Sequence, residues 1–210
     1  MVHAPVTPIG LNAATGVASR EGVVDQRVLV ERAGEGDHDA FAVLASASIA
    51  RLDAAARLIL RDGELARDAV QEAMVRSWRD LPTLRDVDRF DAWLHRLLVN
   101  ACLDIVRRRK RRAIEVELTP IHIPTTGDFT SAVVDRDLLD RGLRALEPGW
   151  RAIVVLHYFL GMPLPEVAAA VGIPLGTAKS RLHRSIGVLR ATIDGEAVAD
   201  RQAVPEGRPA

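Results

Sequence analysis

Three groups of residues have types and spacing that could do chemistry, and the first is a run of six cations. It reads RRRKRR from Arg107 to Arg112. The helix dipole favours cations at a helix C-terminus, but six in succession surround a helix and repel one another, so contact with phosphate groups is the better explanation. Asn100 and Asp104 precede the run and are neighbours on one side of a helix. The Asn100 amide both donates and accepts, which suits an adenine edge or an unstacked base.

The second group is a cationic face on the segment Thr177–Leu189. Together with Pro165–Val171 and a turn at Gly172, this segment has helix-turn-helix spacing. One side of it carries an apolar stripe of Ala178, Leu182, Ile186 and Leu189. The other side carries short donors and cations that suit base edges and phosphates in a DNA major groove, namely Thr177, Lys179, Ser180, His183 and Arg184. The alternative is an ordinary helical hairpin with a solvated cationic face.

The third group is an acidic helix. Four acids lie between Asp62 and Glu72, against one arginine, and the rim of the helical segment Ala66–Arg79 carries Asp68, Gln71, Glu72, Arg76 and Arg79. An acidic face cannot contact DNA. It is either a surface that docks a protein or a solvated face with local pairs such as Glu72 with Arg76.

Several kinds of chemistry are disfavoured. The sequence has no Gly-rich phosphate loop, no H-E-x-x-H and no G-x-S-x-G, so we expect no enzyme and no small-molecule substrate. The single cysteine, Cys102, excludes an internal disulfide framework and a multi-cysteine zinc site. A zinc or redox role with His95 needs further ligands that are absent nearby, so we expect Cys102 to pack as a small hydrophobe and the chain to need no metal or cofactor.

Composition adds further limits. The chain is 48% hydrophobic, which is too apolar for a wholly disordered protein. Its length of 210 residues is enough for one large or two small domains. The 28 basic and 28 acidic residues cancel, but their clustering suggests two partners, a polyanion and a protein. The sequence contains no long uncharged apolar stretch and no basic-then-apolar start, so we expect a cytoplasmic chain without membrane insertion.

The elements that must position these groups are helices. Strand signals are scarce, and the apolar spacing predicts an all-α fold of two small helical bundles joined by a flexible linker. We expect helices at 37–61, 66–78, 90–112, 137–145, 149–158, 165–171 and 177–193. The predicted organisation is a mobile tail (1–24), a helical domain (25–112), a linker (113–134), a helix-turn-helix domain (135–193) and a second mobile tail (194–210).

Three stretches resemble one known family, the extracytoplasmic-function (ECF) type of bacterial RNA polymerase sigma factor. ARDAVQEAMVRSWRD (66–80) is similar to the family's region 2.2. FDAWLHRLLVNACLDIVRRRKRR (90–112) is similar to regions 2.3 and 2.4, with the pattern W-L…N…D…R at Trp93, Leu94, Asn100, Asp104 and Arg107. The stretch 143–190 resembles region 4 and contains the signature G-T-x-K-S-R-L-x-R from Gly176 to Arg184.

The resemblance implies a factor without catalytic activity that binds core RNA polymerase and directs it to promoters. It places polymerase docking on the clamp helices through Asp68, Gln71, Glu72 and Arg76. It places the −10 element on the loop Thr83–Arg89 and on Asn100, Asp104, Arg107 and Arg108. The −35 element would meet Thr177, Lys179, Ser180, Arg181, His183 and Arg184, while the linker would thread the RNA exit path. Since many relatives are held inactive by an anti-sigma factor, such a partner is also an expectation.

Two features depart from the family pattern. Pro163 stands where a Ser N-cap is usual, and the N-terminal extension has no counterpart in the minimal family member. A stand-alone helix-turn-helix regulator, which binds duplex DNA without polymerase, remains the alternative. That alternative accounts for Thr177–Arg190 but leaves Phe90–Arg112 and the acidic helix unexplained.

Overall fold

The chain is helical wherever its structure is described. A computed structural model describes residues 25–115 and 133–203, and the side chains of 25–112 and 139–192. These ranges hold eight α-helices: Gln26–Gly34 (α1), His38–Leu60 (α2), Gly63–Asp80 (α3), Phe90–Glu115 (α4), Val133–Arg144 (α5), Pro148–Val154 (α6), Leu164–Val171 (α7) and Leu175–Ala203 (α8). No strand occurs within them, which confirms the predicted all-α class.

The starts of the first helices are fixed by aspartate caps. The Asp37 carboxylate accepts hydrogen bonds from the backbone N–H groups of Asp39 and Ala40, both at 3.0 Å. Asp62 does the same for Glu64 and Leu65 at 3.0 and 3.1 Å. Each such cap stabilises a helix by about 1 kcal/mol, because it satisfies first-turn donors that have no partner within the helix. Asp62, one of the four acids between Asp62 and Glu72, therefore has a structural role as the cap of α3.

The first bundle, α1 to α4, is built around the apolar face of α4. Phe90, Leu94, Leu98 and Val99 are buried there against α2 and α3. Between them lie alanines with no exposed surface: Ala55 and Ala56 on α2, Ala66, Ala69 and Ala73 on α3, and Ala101 on α4. Their small side chains let the helix backbones approach closely, so the relative positions of α2, α3 and α4 are tightly set.

The second bundle, α5 to α8, contains the predicted helix-turn-helix pair. Val167 of α7 and Ala178 of α8 are fully buried between the two helices. Gly172 ends α7 with φ 74° and ψ 40°, the left-handed conformation that the turn requires. Pro163 is the N-cap of α7 and supplies no side-chain hydrogen bond, as its type predicts.

Apart from shifts of up to four residues at other helix ends, the helices differ from expectation in three respects. The predicted helix 149–158 is α6 followed by a π-helical segment, Val155–Phe159, in which the Leu160 N–H reaches back to the Val155 carbonyl at 3.0 Å. Helix α1 was not predicted at all, and it buries Leu29, Val30 and Ala33. Helix α8 continues to Ala203 instead of ending at Ile193.

The longer α8 follows from its composition. The residues 196–203, EAVADRQA, are mostly good helix formers, and Gly195 alone costs only about 1 kcal/mol relative to alanine. Pro205 is the first residue that cannot continue a helix. The predicted tail 1–24 lies outside the described residues, as do 204–210 of the second tail and 116–132 of the predicted linker.

The two bundles lie against each other. Helix α4 contacts α6 and α7, and α2 contacts α6 and the π-helical segment. Buried residues of both bundles belong to one continuous apolar core. No local pattern in the sequence predicts this contact.

Two Gly→Ala substitutions, which should change the free energy of unfolding in opposite directions, test the turn at Gly172. Gly172→Ala should lower the free energy of unfolding by about 1–2 kcal/mol, because an L-residue at positive φ brings its Cβ against the backbone. Gly187→Ala is the matched control: Gly187 lies in α8 with open space around it, and alanine there should raise the free energy of unfolding by about 1 kcal/mol. Urea unfolding followed by far-ultraviolet circular dichroism measures both, and equal effects would contradict the assignment.

Candidate nucleic-acid interface

The acidic face of α3 is partly paired within the helix. Asp68 and Gln71 are exposed, whereas Glu72 and Arg76 are half-buried. The Arg76 Nε donates to the Glu72 carboxylate at 2.7 Å, the local pair that the spacing predicts. The exposed side of α3 therefore offers a carboxylate, an amide and a neutralised ion pair as contacts for a partner.

Arg76 also reaches from α3 to α4. Its Nη1 lies 3.6 Å from the Asp104 carboxylate, and Arg107 donates to that same carboxylate at 2.8 Å. Glu72, Arg76, Asp104 and Arg107 thus form one chain of alternating charges. The residues expected to dock polymerase adjoin those expected to read the −10 element, which their separation in sequence did not indicate.

The cationic run at the end of α4 is open to solvent. All six residues from Arg107 to Arg112 are exposed. Arg108 donates to the Asp104 backbone carbonyl at 3.4 Å, and Arg109 lies 3.5 Å from Asp62, the cap of α3. Ion pairs between exposed side chains contribute little to stability, so these cations can exchange their partners for phosphates at small cost.

Asn100 lies one turn before Asp104 on α4 and is half-buried.

The predicted loop Thr83–Arg89 has a short 3₁₀ turn at each end, Leu81–Thr83 and Val87–Arg89. The second turn is capped by a hydrogen bond from the Asp88 N–H to the Asp86 carboxylate at 3.2 Å. The loop and α4 line a cleft of about 530 Å³, α4 through Trp93 and Arg96, whereas Asn100 is not among the lining residues. The third wall of this cleft is α7, through Pro165, Glu166 and Ala169.

The predicted cationic face of α8 is largely exposed to solvent. Lys179, Ser180, His183 and Arg184 are exposed, and Thr177 and Arg181 are half-buried beside them. Ala178 and Leu182 are buried on the opposite side. The Ser180 hydroxyl donates to the Thr177 carbonyl at 3.0 Å and remains able to accept a hydrogen bond.

Cys102 and His95 belong to the core. Both are buried in the first bundle, as expected for Cys102 as a small hydrophobe. Burial raises the pKa of the Cys102 thiol to about 12 and lowers the pKa of His95, because both charged forms lose their hydration. Among the described residues, no group of three or more His, Cys, Asp or Glu is placed to hold a metal ion.

None of the helices within the described ranges combines the length and apolar character needed to cross a bilayer.

Comparison with known proteins gives the same two units. The family model for Sigma-70 region 2 matches residues 44–112, and that for Sigma-70 region 4 matches residues 136–186. The chain is 34% identical over 179 residues to the ECF RNA polymerase sigma factor SigM of Mycobacterium tuberculosis, covering 85% of this chain and 89% of SigM. It is 33% identical over 153 residues to the RNA polymerase sigma-E factor of Streptomyces avermitilis, covering 73% of this chain and 84% of that protein.

Solved structures agree at the level of the fold. CnrH, in complex with the cytosolic domain of CnrY, matches with a TM-score of 0.59 and 28% identity over 81% of this chain and 99% of CnrH. The sigma factor RpoE of Bartonella quintana, in complex with the anti-sigma factor NepR, matches with a TM-score of 0.55 and 24% identity over 68% of this chain and 89% of RpoE.

The labelling rate of Cys102 tests whether the face of α4 around this residue is buried. Since the thiolate is the reactive form and the pKa lies at about 12, iodoacetamide at pH 8 should label the native protein at least about a hundredfold more slowly than the urea-unfolded protein. Mass spectrometry at timed intervals measures both rates. Similar rates in the two states would show that the face of α4 around Cys102 is open.

Proposed function

Because this chain belongs to the ECF type of bacterial RNA polymerase sigma factors, we propose that its polymerase-binding and promoter-reading roles are divided among three separate faces. The family binds core polymerase and promoter DNA to start transcription. The match to region 2 over 44–112 favours this function over a stand-alone helix-turn-helix regulator, which would have no use for that unit. The observation that carries the division is what each face exposes. On α3 these are Asp68 and Gln71, while the other acids of the helix pair with Arg67, Arg76 and Arg79; on the end of α4 and the outer face of α8 they are cations.

The first face docks polymerase through Asp68, Gln71, Glu72 and Arg76. Asp68 and Gln71 project from α3 into solvent, and the half-buried pair of Glu72 with Arg76 holds both side chains in defined positions. Opposed charges across an interface speed the encounter and exclude wrong partners. The exposed Asp68 carboxylate also repels phosphates, so this face does not compete for DNA.

The second face reads the −10 element with the loop Thr83–Arg89, Asn100, Arg107 and Arg108. A base must leave the stack before its hydrogen-bonding edge can be reached, at a cost of a few kcal/mol. The cleft beside Trp93 has room for a base. Asn100 lies outside the cleft lining, one turn beyond Arg96 on α4, where its amide supplies a donor and an acceptor. Exposed cations at the end of α4 hold the adjacent phosphates.

Asp104 has a different role from its neighbours in this scheme. A carboxylate repels phosphates, and this one already accepts a hydrogen bond from Arg107 while facing Arg76. It is therefore a positioning residue, which aims Arg107 at the DNA and connects that arginine to the polymerase-docking face.

The third face, on α8, enters the major groove of the −35 element. Lys179 and Arg184 lie exposed on it, with Thr177, Ser180, Arg181 and His183 as further contacts. Two weak DNA readers on one chain gain affinity only when both of their sites are present at the right spacing. Because of this coupling, the protein binds a complete promoter more tightly than DNA that carries only one of the two elements.

The chain itself carries no catalytic step in this scheme, because polymerase supplies the chemistry. We place its action in the cytoplasm, where bacterial polymerase and promoters are found. The solved complexes of CnrH with CnrY and of RpoE with NepR support an anti-sigma factor as a further partner of this chain.

Opposite charge changes should separate promoter binding from polymerase binding. Lys179→Ala with Arg184→Ala should weaken binding to a duplex promoter about tenfold or more and lower the salt dependence of the binding constant by about one unit per residue, with polymerase affinity unchanged. Glu72→Lys should weaken binding to core polymerase and leave duplex binding intact. A promoter selected from a random library with reconstituted polymerase serves as the probe in fluorescence anisotropy.

Two matched variants control for charge alone. Arg32→Ala removes an exposed cation from α1, and Glu35→Lys reverses an exposed acid at the end of α1, both away from the proposed faces. Neither should move its respective affinity by more than about twofold. The division of faces is wrong if the α8 double variant and Glu72→Lys damage the same step equally.

Asp104→Asn separates positioning from direct reading. Loss of the ion pairs should weaken binding about two- to fivefold on every promoter variant, because Arg107 is less well held whatever base is present. If Asp104 instead accepted a hydrogen bond from a base, the loss would be confined to one base position. Asp53→Asn is the control, since Asp53 pairs with Arg57 at 2.6 Å on α2, away from the proposed DNA faces.

A further inference from the structure

The cleft between the loop Thr83–Arg89, α4 and α7 has the lining of a site for a small charged ligand. Its volume of about 530 Å³ lies within the range of pockets that hold small molecules. Two of its walls belong to the first bundle, and the third is α7 of the second. A strand of DNA must enter and leave such a site, whereas a ligand of limited size fits between three walls.

Part of the lining is apolar. It includes Trp93 of α4, Leu84 of the loop, and Pro165 and Ala169 of α7. Trp93 is half-buried, and its ring packs beside Phe90 with 6.0 Å between the ring centroids, which restricts its orientation. A held indole ring with apolar neighbours is a surface on which a nucleobase stacks favourably.

Three arginines add positive charge to the lining, namely Arg85, Arg89 and Arg96. Arg89 is paired with the Glu166 carboxylate of α7 at 2.6 Å. Arg85 and Arg96 are exposed, and neither has a hydrogen bond or an ion pair with any described residue. Two unpaired guanidinium groups, one from the loop and one from α4, therefore line a space of molecular size.

Phosphate is the anion that these two arginines suit best. A guanidinium group binds oxyanions through a planar fork of N–H groups, and the two oxygens of a carboxylate are filled by one such fork. A terminal phosphate has three outer oxygens and up to two negative charges. It can therefore accept hydrogen bonds from Arg85 and Arg96 together.

The two carboxylates of the lining, Asp86 and Glu166, suit the rest of a nucleotide. Asp86 accepts a hydrogen bond from the Asp88 N–H and Glu166 accepts one from Arg89, so both keep lone pairs for further donors. The N–H groups of a base and the hydroxyl groups of a ribose are such donors. A bare phosphate ion has nothing to offer these carboxylates and is repelled by them.

We propose that this cleft binds a free nucleoside phosphate, with the base stacked on Trp93 and the phosphate held between Arg85 and Arg96. Because α7 forms the third wall, the ligand contacts both bundles at once. This site does not depend on the assignment of the cleft to the −10 element, although an unstacked base of DNA would use the same indole ring.

Isothermal titration calorimetry on the full chain at physiological ionic strength measures the binding. The ligands are the monophosphates of guanosine, adenosine, cytidine and uridine, the four nucleosides without phosphate, and inorganic phosphate. At least one nucleotide should bind about tenfold or more tightly than its nucleoside and than inorganic phosphate, because each partial ligand loses one kind of contact. Absence of binding by all four nucleotides overturns the proposed site. Equal binding of inorganic phosphate does so too, because charge alone would then explain it.

Substitutions in the lining locate the ligand. Arg96→Ala should weaken nucleotide binding about tenfold, because a charged contact with the phosphate is lost. Ala169→Glu places a carboxylate on the α7 wall and should weaken binding at least as much. Ala169 is exposed and glutamate is a good helix former, so this variant keeps its fold.

Arg190→Ala is the matched control, since it removes an exposed arginine of α8 that does not line the cleft. Salt screens distant charges, so nucleotide affinity should change less than about twofold. Equal losses in Arg96→Ala and Arg190→Ala would reduce the site to non-specific attraction. Unchanged affinity in Ala169→Glu would remove α7 from it. Either result overturns the three-walled site.

Fluorescence then separates a free nucleotide from DNA as the ligand. A stacked base should quench the emission of Trp93, and the quenching should be lost in Trp93→Phe, in which Trp78 and Trp150 still emit. Quenching that persists in Trp93→Phe contradicts the proposed stacking. A single-stranded deoxyoligonucleotide of random sequence is the second probe. If it binds while no free nucleotide does, the nucleotide site is overturned and the −10 assignment stands. If nucleotides quench Trp93 and the oligonucleotide cannot displace them, the nucleotide site stands and the −10 assignment fails.

Discussion

The structure depends on the burial of one face of α4. This helix must hold six consecutive cations at its C-terminal end, where mutual repulsion opposes a regular helix. Leu94, Leu98 and Val99, all buried, anchor the preceding turns against α2 and α3 and supply the stability that the cationic end lacks. The position of Asn100, the aim of Arg107 and the wall of the cleft at Trp93 all follow from that anchoring.

Charge then organises the surface around α4 at two levels. Close to the helix, Asp104 lies between Arg76 and Arg107 and connects two faces with different proposed partners. Farther away, arginines of the first bundle reach acceptors of the second. The Arg61–Asp140 pair is largely buried and well formed, whereas exposed pairs, Arg89–Glu166 among them, can be exchanged for a ligand at small cost. A protein with no net charge can thus bind both a polyanion and a protein.

Local patterns predicted the parts of this molecule that local physics determines. The spacing of Asn100 and Asp104, the left-handed turn at Gly172 and the buried stripe of α8 each depend on a few neighbouring residues. Contacts between distant residues were missed, because nothing beside Arg61 in sequence points to Asp140, 79 positions away. Helix α1 was missed because its polar residues hide a short buried stripe. The π-helical segment was missed because residues 152–156 are a continuous apolar run, which has no period that an extra residue could interrupt.

The alanines inside the first bundle limit how this protein can vary over evolution. Ala66, Ala69 and Ala73 have no exposed surface, and the spacing of α3 from its neighbours is set by single methyl groups. A larger side chain at any of them would force α3 outward, and overpacking of this kind is itself destabilising. It would also shift Arg76 away from Asp104. We therefore expect fewer substitutions among related proteins at these buried alanines than at the exposed arginines.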